Sequence, residues 1–571
     1  MKNFKKVQRI AALSLAGLLG CSGLVACAGG GGGTSDDGTS GGGTSGGGSN
    51  AAQTELRIKV FNGGLGSDWL RELAGNFEET FKDVSFETGK KGVKFSFTAD
   101  KEFSDLPTKM STGTDVHDIY YTSDCRFWTF MDANVAYDVT DIMTADVYDE
   151  DGFVKLNTTK DGWETQSESI ADRITVEHTA ERLNVGTEAA PQYYALPFDD
   201  STVGIIVDWD LFKANGWDDG SGIDGMPGTM QEFYDLLDEI RGEGLSGFIY
   251  GTGVQYTRVL QDAVIAQVEG LEKYYDLFSD YEGYYDFDGD GVEEEDEYIT
   301  PATAYRIMDT KGYEKAVEMA LTMFTKNDEN KAYYDGSVAN NVEFGQAQIN
   351  FVQSVKTNQQ IAMLIEGEWW ENEARATFNS MGDIEDKYAY GKREFRMMPI
   401  PTFDSTNEEQ RYTLGSWTGG ACTIVNEKTV GNNADLQELV KLWLQYQYST
   451  EGLKCFSRYS GATLPFDYDM SDAELEELTP FARNMFELRR DPRVEVVYNG
   501  DSLEEANVRN AAAQLNFNTE LANGARYSAQ PLFAHALKMS KAGNIPSVQE
   551  YIEGMHRFQD QLIKDAYAPQ N

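Results

Sequence analysis

The chain has 571 residues and carries 94 acidic against 48 basic side chains, a formal net charge of −46. Nucleic-acid binding is excluded as a main function, because phosphate contacts require clustered lysine and arginine side chains. Hydrophobic residues make up 41% and aromatic residues 12% of the sequence, so most of the chain is expected to fold into a globular body.

The N-terminus has the pattern of a secretory signal. Four basic side chains among the first nine residues precede a mostly apolar run over residues 10–26. The run ends in Leu24-Val25-Ala26-Cys27, which resembles a bacterial lipoprotein lipobox, in which the cysteine is diacylated and becomes the mature N-terminus. We therefore predict a signal peptide over residues 1–26 and a lipid anchor at Cys27. An ordinary cleaved signal and a second lipobox ending at Cys21 are the alternatives.

A linker follows the predicted anchor. Residues 27–52 consist mainly of glycine, serine and threonine, a composition that cannot build a packed core and is typical of a flexible tether. Residues 53–571 form the predicted folded body, roughly 520 residues, which is enough for two lobes. No second low-complexity linker divides this body, and no other long apolar stretch is present.

Strand and helix patterns alternate along the body. Period-two or continuous apolar patterns predict strands, whereas apolar residues at helical spacing predict helices after Asp68 and after the capping box Thr229-Met230-Gln231-Glu232. The strands are predicted at residues 56–61, 93–97, 118–121, 202–207 and 361–365. A helical stretch runs from about Ser337 towards the last of these strands, and the chain after about Asn433 is mostly helical in pattern. This alternation predicts an α/β fold with largely parallel sheets.

The clearest chemical motif is an acidic loop that begins at Asp286. Its spacing fits the twelve-residue calcium loop of EF-hands, with acids at positions one, three and five, a glycine at six and a glutamate at twelve. Calcium prefers six to eight oxygen ligands, so we predict a structural Ca²⁺ site. The candidate ligands are Asp286, Asp288, Asp290, the carbonyl of Val292, Asp296 and Glu297. An acidic, solvated turn is the alternative, because Thr300-Pro301 starts the next helix only after Glu297.

Enzyme motifs are absent from the body. Residues 53–571 contain no G-x-S-x-G elbow, no GxxxxGK[ST] loop and no H-E-x-x-H helix, and the four histidines are scattered along the chain. The cysteines of the body show no paired histidine and are expected to be small buried apolar residues. We therefore expect no catalytic residues and a binding function.

Several segments in order resemble the extracellular solute-binding lipoproteins of carbohydrate ABC transporters from Gram-positive bacteria. Each segment is short, but their order and spacing cover nearly all of the body. They are Tyr194–Ser201, Asp210–Trp217, Pro227–Phe233, Ala362–Trp370 and Met398–Pro401. Residues 155–192 and the acidic insertion near residue 285 depart from the common pattern of the family.

The resemblance implies a periplasmic-binding-protein-like fold of type II, with two α/β lobes, a ligand cleft between them and a hinge that closes on the ligand. By analogy the chain crosses near Leu196-Pro197 and returns near Pro399–Pro401. This assigns residues 53–196 and 402–450 to lobe 1, and residues 197–401 and 451–571 to lobe 2. The resemblance also implies a monomer on the extracellular face of the cell membrane that delivers a sugar or oligosaccharide to the permease subunits of an ABC transporter.

Ligand-binding residues are expected where strands end and polar or aromatic side chains follow. In the family, the Trp after the glycine of the Ala362–Trp370 segment stacks on sugar, which implies this role for Trp369 or Trp370. Aromatic rings suit the C–H faces of sugars, whereas carboxylates and amides suit the hydroxyls. The further candidates are Asn62, Ser123, Asp124, Arg126, Trp128, Asp199, Asp200 and Trp417. Packing and turn-capping roles are the alternatives for these residues.

Two other functions remain open at the level of sequence. A surface glycan hydrolase would need two placed carboxylates, which a chain with 94 acids can always supply. A binding protein for a peptide or another small solute would share the fold and differ only in the lining of its cleft.

Overall fold

Two separate β-sheets, each with its own hydrophobic core, organise the chain. A computed structural model describes residues 52–566 except for 102, 104, 123–125, 146–167, 176–178, 180–182, 188, 199–200, 254–255, 404–410, 417–420, 499–518 and 528–530. The predicted signal peptide and Cys27 therefore lie outside the described residues.

The described strands are β1 Thr54–Phe61, β2 Val93–Asp100, β3 Ile119–Tyr121, β4 Leu196–Pro197, β5 Thr202–Asp208, β6 Ser246–Tyr250, β7 Gly283–Tyr284, β8 Tyr298–Ile299, β9 Ile361–Gly367, β10 Phe395–Met398, β11 Tyr412–Ser416, β12 Cys422–Val425, β13 Val494–Tyr498, β14 Thr519–Glu520 and β15 Arg526–Tyr527. All the strands that the sequence predicts are present, with ends that differ by up to three residues.

The described α-helices are Asp68–Thr80, Leu106–Thr112, Phe127–Asp132, Thr140–Thr144, Trp209–Asn215, Met230–Gly242, Tyr256–Glu269, Leu271–Tyr274, Lys311–Met323, Phe344–Ser354, Trp370–Glu373, Arg375–Gly382, Glu427–Val430, Ala434–Gln447, Thr450–Ser460, Asp472–Glu476, Pro480–Leu488, Leu532–Ala542 and Val548–Ala566. None of the helices among the described residues combines the length and the apolar character that a membrane span requires.

The first sheet has the strand order β2-β1-β3-β12-β4, and the second has the order β13-β11-β5-β9-β6 with β10 paired to β5. Strand β5 is buried along its whole length, as is β9 beside it. Continuous apolar strands of this kind belong in the middle of a sheet that is covered on both faces. The two-lobed α/β class predicted from the sequence is confirmed.

The expectation of largely parallel sheets is wrong for the strands that cross between the lobes. Strand β5 runs antiparallel to its neighbours β9, β10 and β11, and β12 runs antiparallel to β3 and β4. Among the described strands, parallel pairing joins β1 with β2 and β3, β6 with β9, and β11 with β13. The reason is geometric: β5 and β12 enter their sheets from the other lobe, at the edge where the parallel strands end.

Both crossings between the sheets leave and enter at this same edge. Strand β4 ends beside the start of β12, with Pro197 opposite Cys422, and the next strand, β5, begins in the second sheet. Strand β11 ends beside the start of β5, with Ser416 opposite Thr202, and β12 then begins in the first sheet. The return crossing therefore lies between β11 and β12, later than the predicted return near Pro399–Pro401.

The predicted lobe boundaries at 402 and 451 need the same correction. Strand β11 lies in the second sheet although the sequence assignment gave residues 402–450 to lobe 1. Conversely, helix Thr450–Ser460 packs against helix Asp68–Thr80 in the first lobe, and its Leu453, Cys455 and Phe456 belong to the first core. Both differences arise because local apolar patterns reveal neither which sheet a strand joins nor which sheet a helix covers.

The capping box predicted at Thr229-Met230-Gln231-Glu232 is confirmed in part. The Thr229 hydroxyl accepts a hydrogen bond from the Glu232 N–H at 3.2 Å, which caps helix Met230–Gly242 as the box predicts. The Glu232 carboxylate instead accepts from Gly228 N–H at 2.8 Å and from the Ser221 hydroxyl at 2.7 Å. The Glu232 carboxylate, which in a capping box accepts from the N–H of the first residue, is thus used to hold the preceding turn.

The C-terminal segment packs on the second lobe and contains more than helices. Strand β13 extends the second sheet parallel to β11, and β14 pairs with β15. Helix Leu532–Ala542 packs against Lys311–Met323, and helix Val548–Ala566 packs against β14 and the 3₁₀ helix Pro301–Asp309. His556 attaches the last helix to this 3₁₀ helix, with Nε2 at 2.7 Å from an Asp309 carboxylate oxygen.

Candidate ligand-binding cleft

The carboxyl edges of the two sheets meet where the chain crosses between the lobes. In the first sheet β1, β3 and β4 end at this edge, and in the second sheet β6, β9 and β11 end there. Ligands of open α/β sheets bind outside the carboxyl ends of strands. The space between these two edges is therefore the candidate binding cleft.

Trp369 lies at this edge, directly after β9, but its ring is mostly covered. Its exposure is 8%, and its contacts place it in the first core although β9 belongs to the second sheet. The ring packs edge-to-face with Tyr256 at 5.6 Å between centroids and lies against Gly64 and Gly367. Trp369 therefore joins the lobes at the base of the cleft.

Trp370 is not available to a ligand, so its candidate binding role is wrong. Its side chain is fully buried in the second core, where it packs against four phenylalanine rings at centroid distances of 5.0 to 5.7 Å, namely Phe351, Phe378, Phe395 and Phe481. Trp370 begins helix Trp370–Glu373, which turns its side chain away from the cleft and towards helix Phe344–Ser354. Adjacent tryptophans after one strand thus have different environments.

A hydrogen-bonded network lies behind Trp369. The Tyr256 hydroxyl shares hydrogen bonds with the Glu366 carboxyl group and the Trp369 side chain. Gln348 Nε2 donates to Glu373 at 2.9 Å and to Glu366 at 3.4 Å, and the Gly367 N–H donates to Glu366 at 3.0 Å. Complete burial raises the pKa of Glu366 to about 8, which favours the neutral acid at pH 7. This network fixes the orientation of the end of β9.

A second buried carboxyl group, that of Glu371, follows the same strand. Burial raises the pKa of Glu371 to about 7, and the Thr479 hydroxyl donates to it at 2.5 Å. Glu368, between the two, is also buried and accepts from the Thr463 N–H at 3.0 Å and the Thr202 hydroxyl at 3.2 Å. Glu368 therefore ties the end of β9 to the start of β5 and to the first lobe.

Phe344 is a ring at the cleft edge that sequence reasoning missed. It begins helix Phe344–Ser354, which precedes β9 and so starts at the carboxyl edge of the second sheet. Its side chain is 36% exposed, and its backbone lies against Gly251, just after β6. The Thr252 N–H donates to the Val342 carbonyl at 2.9 Å and holds the two segments together. The sequence places Phe344 in the helical stretch that precedes the predicted strand at 361–365, but no local pattern shows that it lies beside the end of β6.

The first lobe contributes three of the predicted candidates to its side of the cleft. Asn62 follows β1 with an exposed side chain, and its N–H donates to the Asp100 carbonyl at 2.8 Å. Arg126 is exposed at the start of helix Phe127–Asp132, and Trp128 is half-buried with its ring 5.6 Å from that of Phe127. Ser123, Asp124, Asp199, Asp200 and Trp417 lie outside the described residues.

The acidic loop belongs to the second lobe, where Phe287 packs against the second core, and the pairing of β7 with β8 closes it. One carboxylate oxygen of each of Asp286, Asp288 and Asp290 lies within 4.8 Å of the others, and all three side chains are exposed. Asp286 accepts backbone N–H bonds from Gly289 and Gly291 at 2.6 and 2.9 Å, which lower its pKa.

The other predicted metal ligands differ from one another in burial. Glu297 is buried and accepts from the Phe287 N–H at 2.7 Å, so its carboxylate reaches back across the loop. Val292 and Asp296 are exposed. No flanking EF-hand helices are present in this described part of the chain, since β7 precedes the loop and β8 follows it.

The fold and the facing sheet edges are those of a two-lobed binding protein. The sequence profile of the bacterial extracellular solute-binding protein family matches residues 63–453, so the chain belongs to this family. Its members are classed as binding proteins and not as enzymes. A search of curated proteins finds no match.

Solved structures with a similar fold include several solute-binding proteins. RafE in complex with raffinose aligns with a TM-score of 0.51 and 12% identity, over 89% of this chain and all of that one. The chitin oligosaccharide binding protein aligns with 0.51 and 14% identity, over 90% and 99% of the two chains. A probable secreted solute-binding lipoprotein from Streptomyces coelicolor gives 0.52 and 12% identity over the same shares. At these identities the likeness shows the fold alone.

Proposed function

We propose that this protein captures a sugar or oligosaccharide in the cleft between its lobes and delivers it to the permease of an ABC transporter. The observation that carries the proposal is the meeting of the two carboxyl edges at the chain crossings, with aromatic side chains at both edges. The structurally similar RafE and chitin oligosaccharide binding protein are named for saccharide ligands, which supports this ligand class.

The lining of the cleft suits a neutral, hydroxyl-rich ligand. Phe344 and Trp128 offer partly exposed aromatic surface on the second and first lobe. Aromatic faces pack on the C–H faces of sugar rings, and the amide of Asn62 and the guanidinium of Arg126 can bond to hydroxyls. Trp369 would add a further ring if the loop that covers it moves. Ser123, Asp124, Asp199, Asp200 and Trp417 remain predicted contacts.

A thermal-shift screen tests the ligand class directly. The panel contains raffinose-type and chitin-type oligosaccharides, maltooligosaccharides, amino acids and short peptides. Ligand at about 100 times its dissociation constant stabilises the folded state by about 2.7 kcal/mol, so a true ligand raises the melting temperature measurably. A shift with saccharides supports the proposal. A shift with peptides or amino acids alone, or cleavage of the saccharide during incubation, contradicts it.

We also propose that Cys27 is acylated and holds the protein at the outer face of the membrane. The support is the lipobox and the linker that follows it. Mass spectrometry of the digested membrane fraction should find a diacylglyceryl modification on the N-terminal peptide that begins at Cys27. The variant C27A should release the protein into the medium. An unmodified N-terminus at another residue would contradict the anchor.

A structural Ca²⁺ in the acidic loop is proposed as well. Asp286, Asp288 and Asp290 place three carboxylates at a distance from each other that one ion can bridge, and the Val292 carbonyl and Glu297 follow at EF-hand spacing. The ion would neutralise part of the loop's charge and fasten it between β7 and β8. It would act on the lobe and not on the ligand.

A further inference from the structure

Four asparagines of the chain are followed directly by glycine. The structure describes three of these pairs, Asn62-Gly63, Asn215-Gly216 and Asn523-Gly524, whereas Asn499-Gly500 lies outside the described residues. Such a pair can lose its side-chain amide spontaneously, because glycine has no side chain that shields its backbone nitrogen. All three described asparagines are exposed, so access of water does not distinguish them.

The reaction requires the glycine nitrogen to meet the side-chain carbonyl carbon of the asparagine. The nitrogen loses its proton and forms a bond to that carbon, and the carbon–nitrogen bond of the side-chain amide breaks and releases ammonia. Water then opens the resulting succinimide ring at one of its two carbonyls, which gives aspartate or isoaspartate. A hydrogen bond that occupies the glycine N–H or fixes the asparagine side chain must therefore break first.

Hydrogen bonds restrain the pair Asn215-Gly216. Asn215 is the last residue of helix Trp209–Asn215, and its Nδ2 donates to the Leu211 carbonyl at 2.8 Å. The Gly216 N–H donates to the Phe212 carbonyl and so continues the helical bonding pattern. Both reacting groups are thus held by the end of the helix.

The pair Asn523-Gly524 is restrained in the same two ways. It lies in the turn between β14 and β15, where Asn523 Oδ1 accepts from the Ala525 N–H at 2.9 Å. The Gly524 N–H donates to the Leu521 carbonyl at 2.8 Å. The turn therefore occupies both the side-chain amide and the glycine nitrogen.

The pair Asn62-Gly63 has neither restraint. Among the described residues, the Asn62 side chain and the Gly63 N–H have no hydrogen-bond partner. The Asn62 N–H donates to the Asp100 carbonyl at 2.8 Å, which fixes only the nitrogen of Asn62 itself. Gly64 and Gly66 follow, and glycine adopts more backbone conformations than other residues. The two reacting groups are therefore free to meet.

We infer that Asn62 is a deamidation site of the folded protein, at which the Gly63 nitrogen attacks the Asn62 side chain. Asn62 follows β1 at the edge that faces the cleft. The product has a carboxylate in place of a neutral amide, and isoaspartate also adds one carbon to the main chain before the turn that Gly63 and Gly66 close. The modified protein therefore binds its ligand more weakly. This consequence rests on the proposed function, whereas the chemical step does not.

The three pairs are compared in one sample of the intact protein. The protein is incubated in mildly alkaline buffer made with heavy-oxygen water, and mass spectrometry of its peptides then counts only the deamidation that occurs during incubation. Asn62 should react roughly tenfold faster than Asn215 and Asn523, because those two must first break hydrogen bonds. In guanidinium chloride the three rates should converge. Equal rates in the folded protein, or the same order of rates in denaturant, would overturn the inference.

Two variants separate the chemical step from its effect on binding. Asn62→Gln keeps an amide but would have to close a larger ring, so it should stop the reaction at this position and keep the same affinity before and after incubation. Incubated wild type should bind saccharide more weakly than fresh protein, and Asn62→Asp shows how much of the loss the charge causes. Unchanged affinity of the modified wild type would refute the effect on the cleft. Fresh protein that binds no saccharide would contradict the proposed function and leave the mass measurement valid.

Discussion

The buried side chain of Glu366, behind the cleft, makes the stability of the folded state depend on pH. Its carboxyl group is fully buried beside Tyr256 and Gln348, and its pKa rises to about 8. The folded state therefore keeps a proton that the unfolded chain loses near its ordinary pKa of about 4.3. The resulting stabilisation is complete below that ordinary pKa and is lost as the pH rises through about 8.

We predict that Glu366→Gln flattens the pH dependence of stability. The amide cannot ionise, so the loss of stability between about pH 5 and about pH 8 should be smaller than in the wild type, in which each unit of pKa difference corresponds to about 1.4 kcal/mol. Melting temperatures across this range measure the effect. The exposed Glu476 gives the control variant Glu476→Gln, which should retain the wild-type profile. An unaltered slope in Glu366→Gln would show that this group does not titrate with folding.

Phe344 is the residue that tests the lining of the cleft. Its removal should weaken saccharide affinity by roughly tenfold, the equivalent of about 1.4 kcal/mol, because a stacking surface is lost. Calorimetric titration of Phe344→Ala measures this. The control is Ile384→Ala, because Ile384 is an exposed apolar side chain (63%) away from the cleft. Its neighbour Glu385 pairs with Lys356, just past the opposite end of helix Phe344–Ser354. Equal affinity in both variants would remove Phe344 from the site.

At the scale of elements, apolar patterning predicts which segments are strands but not which way they run. The sequence of β5 reads as a buried strand, and it is one. Its antiparallel direction depends on the chain entering from the other lobe, which no local pattern records. The same holds for helix Thr450–Ser460, whose amphipathic face fits either lobe, and for Trp369 and Trp370, whose different burial is decided by the turn after β9.

For the acidic loop, the prediction is that a bound Ca²⁺ stabilises the fold. Chelation should lower the melting temperature, because the carboxylates of Asp286, Asp288 and Asp290 would then repel one another without compensation. Asp288→Asn with Asp290→Asn should abolish this sensitivity. The control Glu293→Gln with Glu294→Gln removes the same charge from exposed positions of the loop and should keep it. A wild-type melting temperature that does not respond to chelator or to added Ca²⁺ would contradict the site.

On the scale of the whole molecule, family membership, two lobes and two crossings at one edge define a two-lobed solute-binding protein. The net charge of −46 argues against a polyanionic ligand drawn in by long-range attraction. What the sequence could supply was the order of the family's segments and the general position of the cleft. What it could not supply was the approach of Gly64 to Trp369, because that contact joins residues about three hundred positions apart in the chain.

A crystal structure of the protein with the saccharide that gives the largest thermal shift is the most direct test. We expect electron density for the saccharide between the ends of β1 and β3 and the ends of β6 and β9, with Phe344 or Trp369 against a sugar ring. Density for the saccharide only on an outer surface, with the cleft closed and unchanged, would contradict the account.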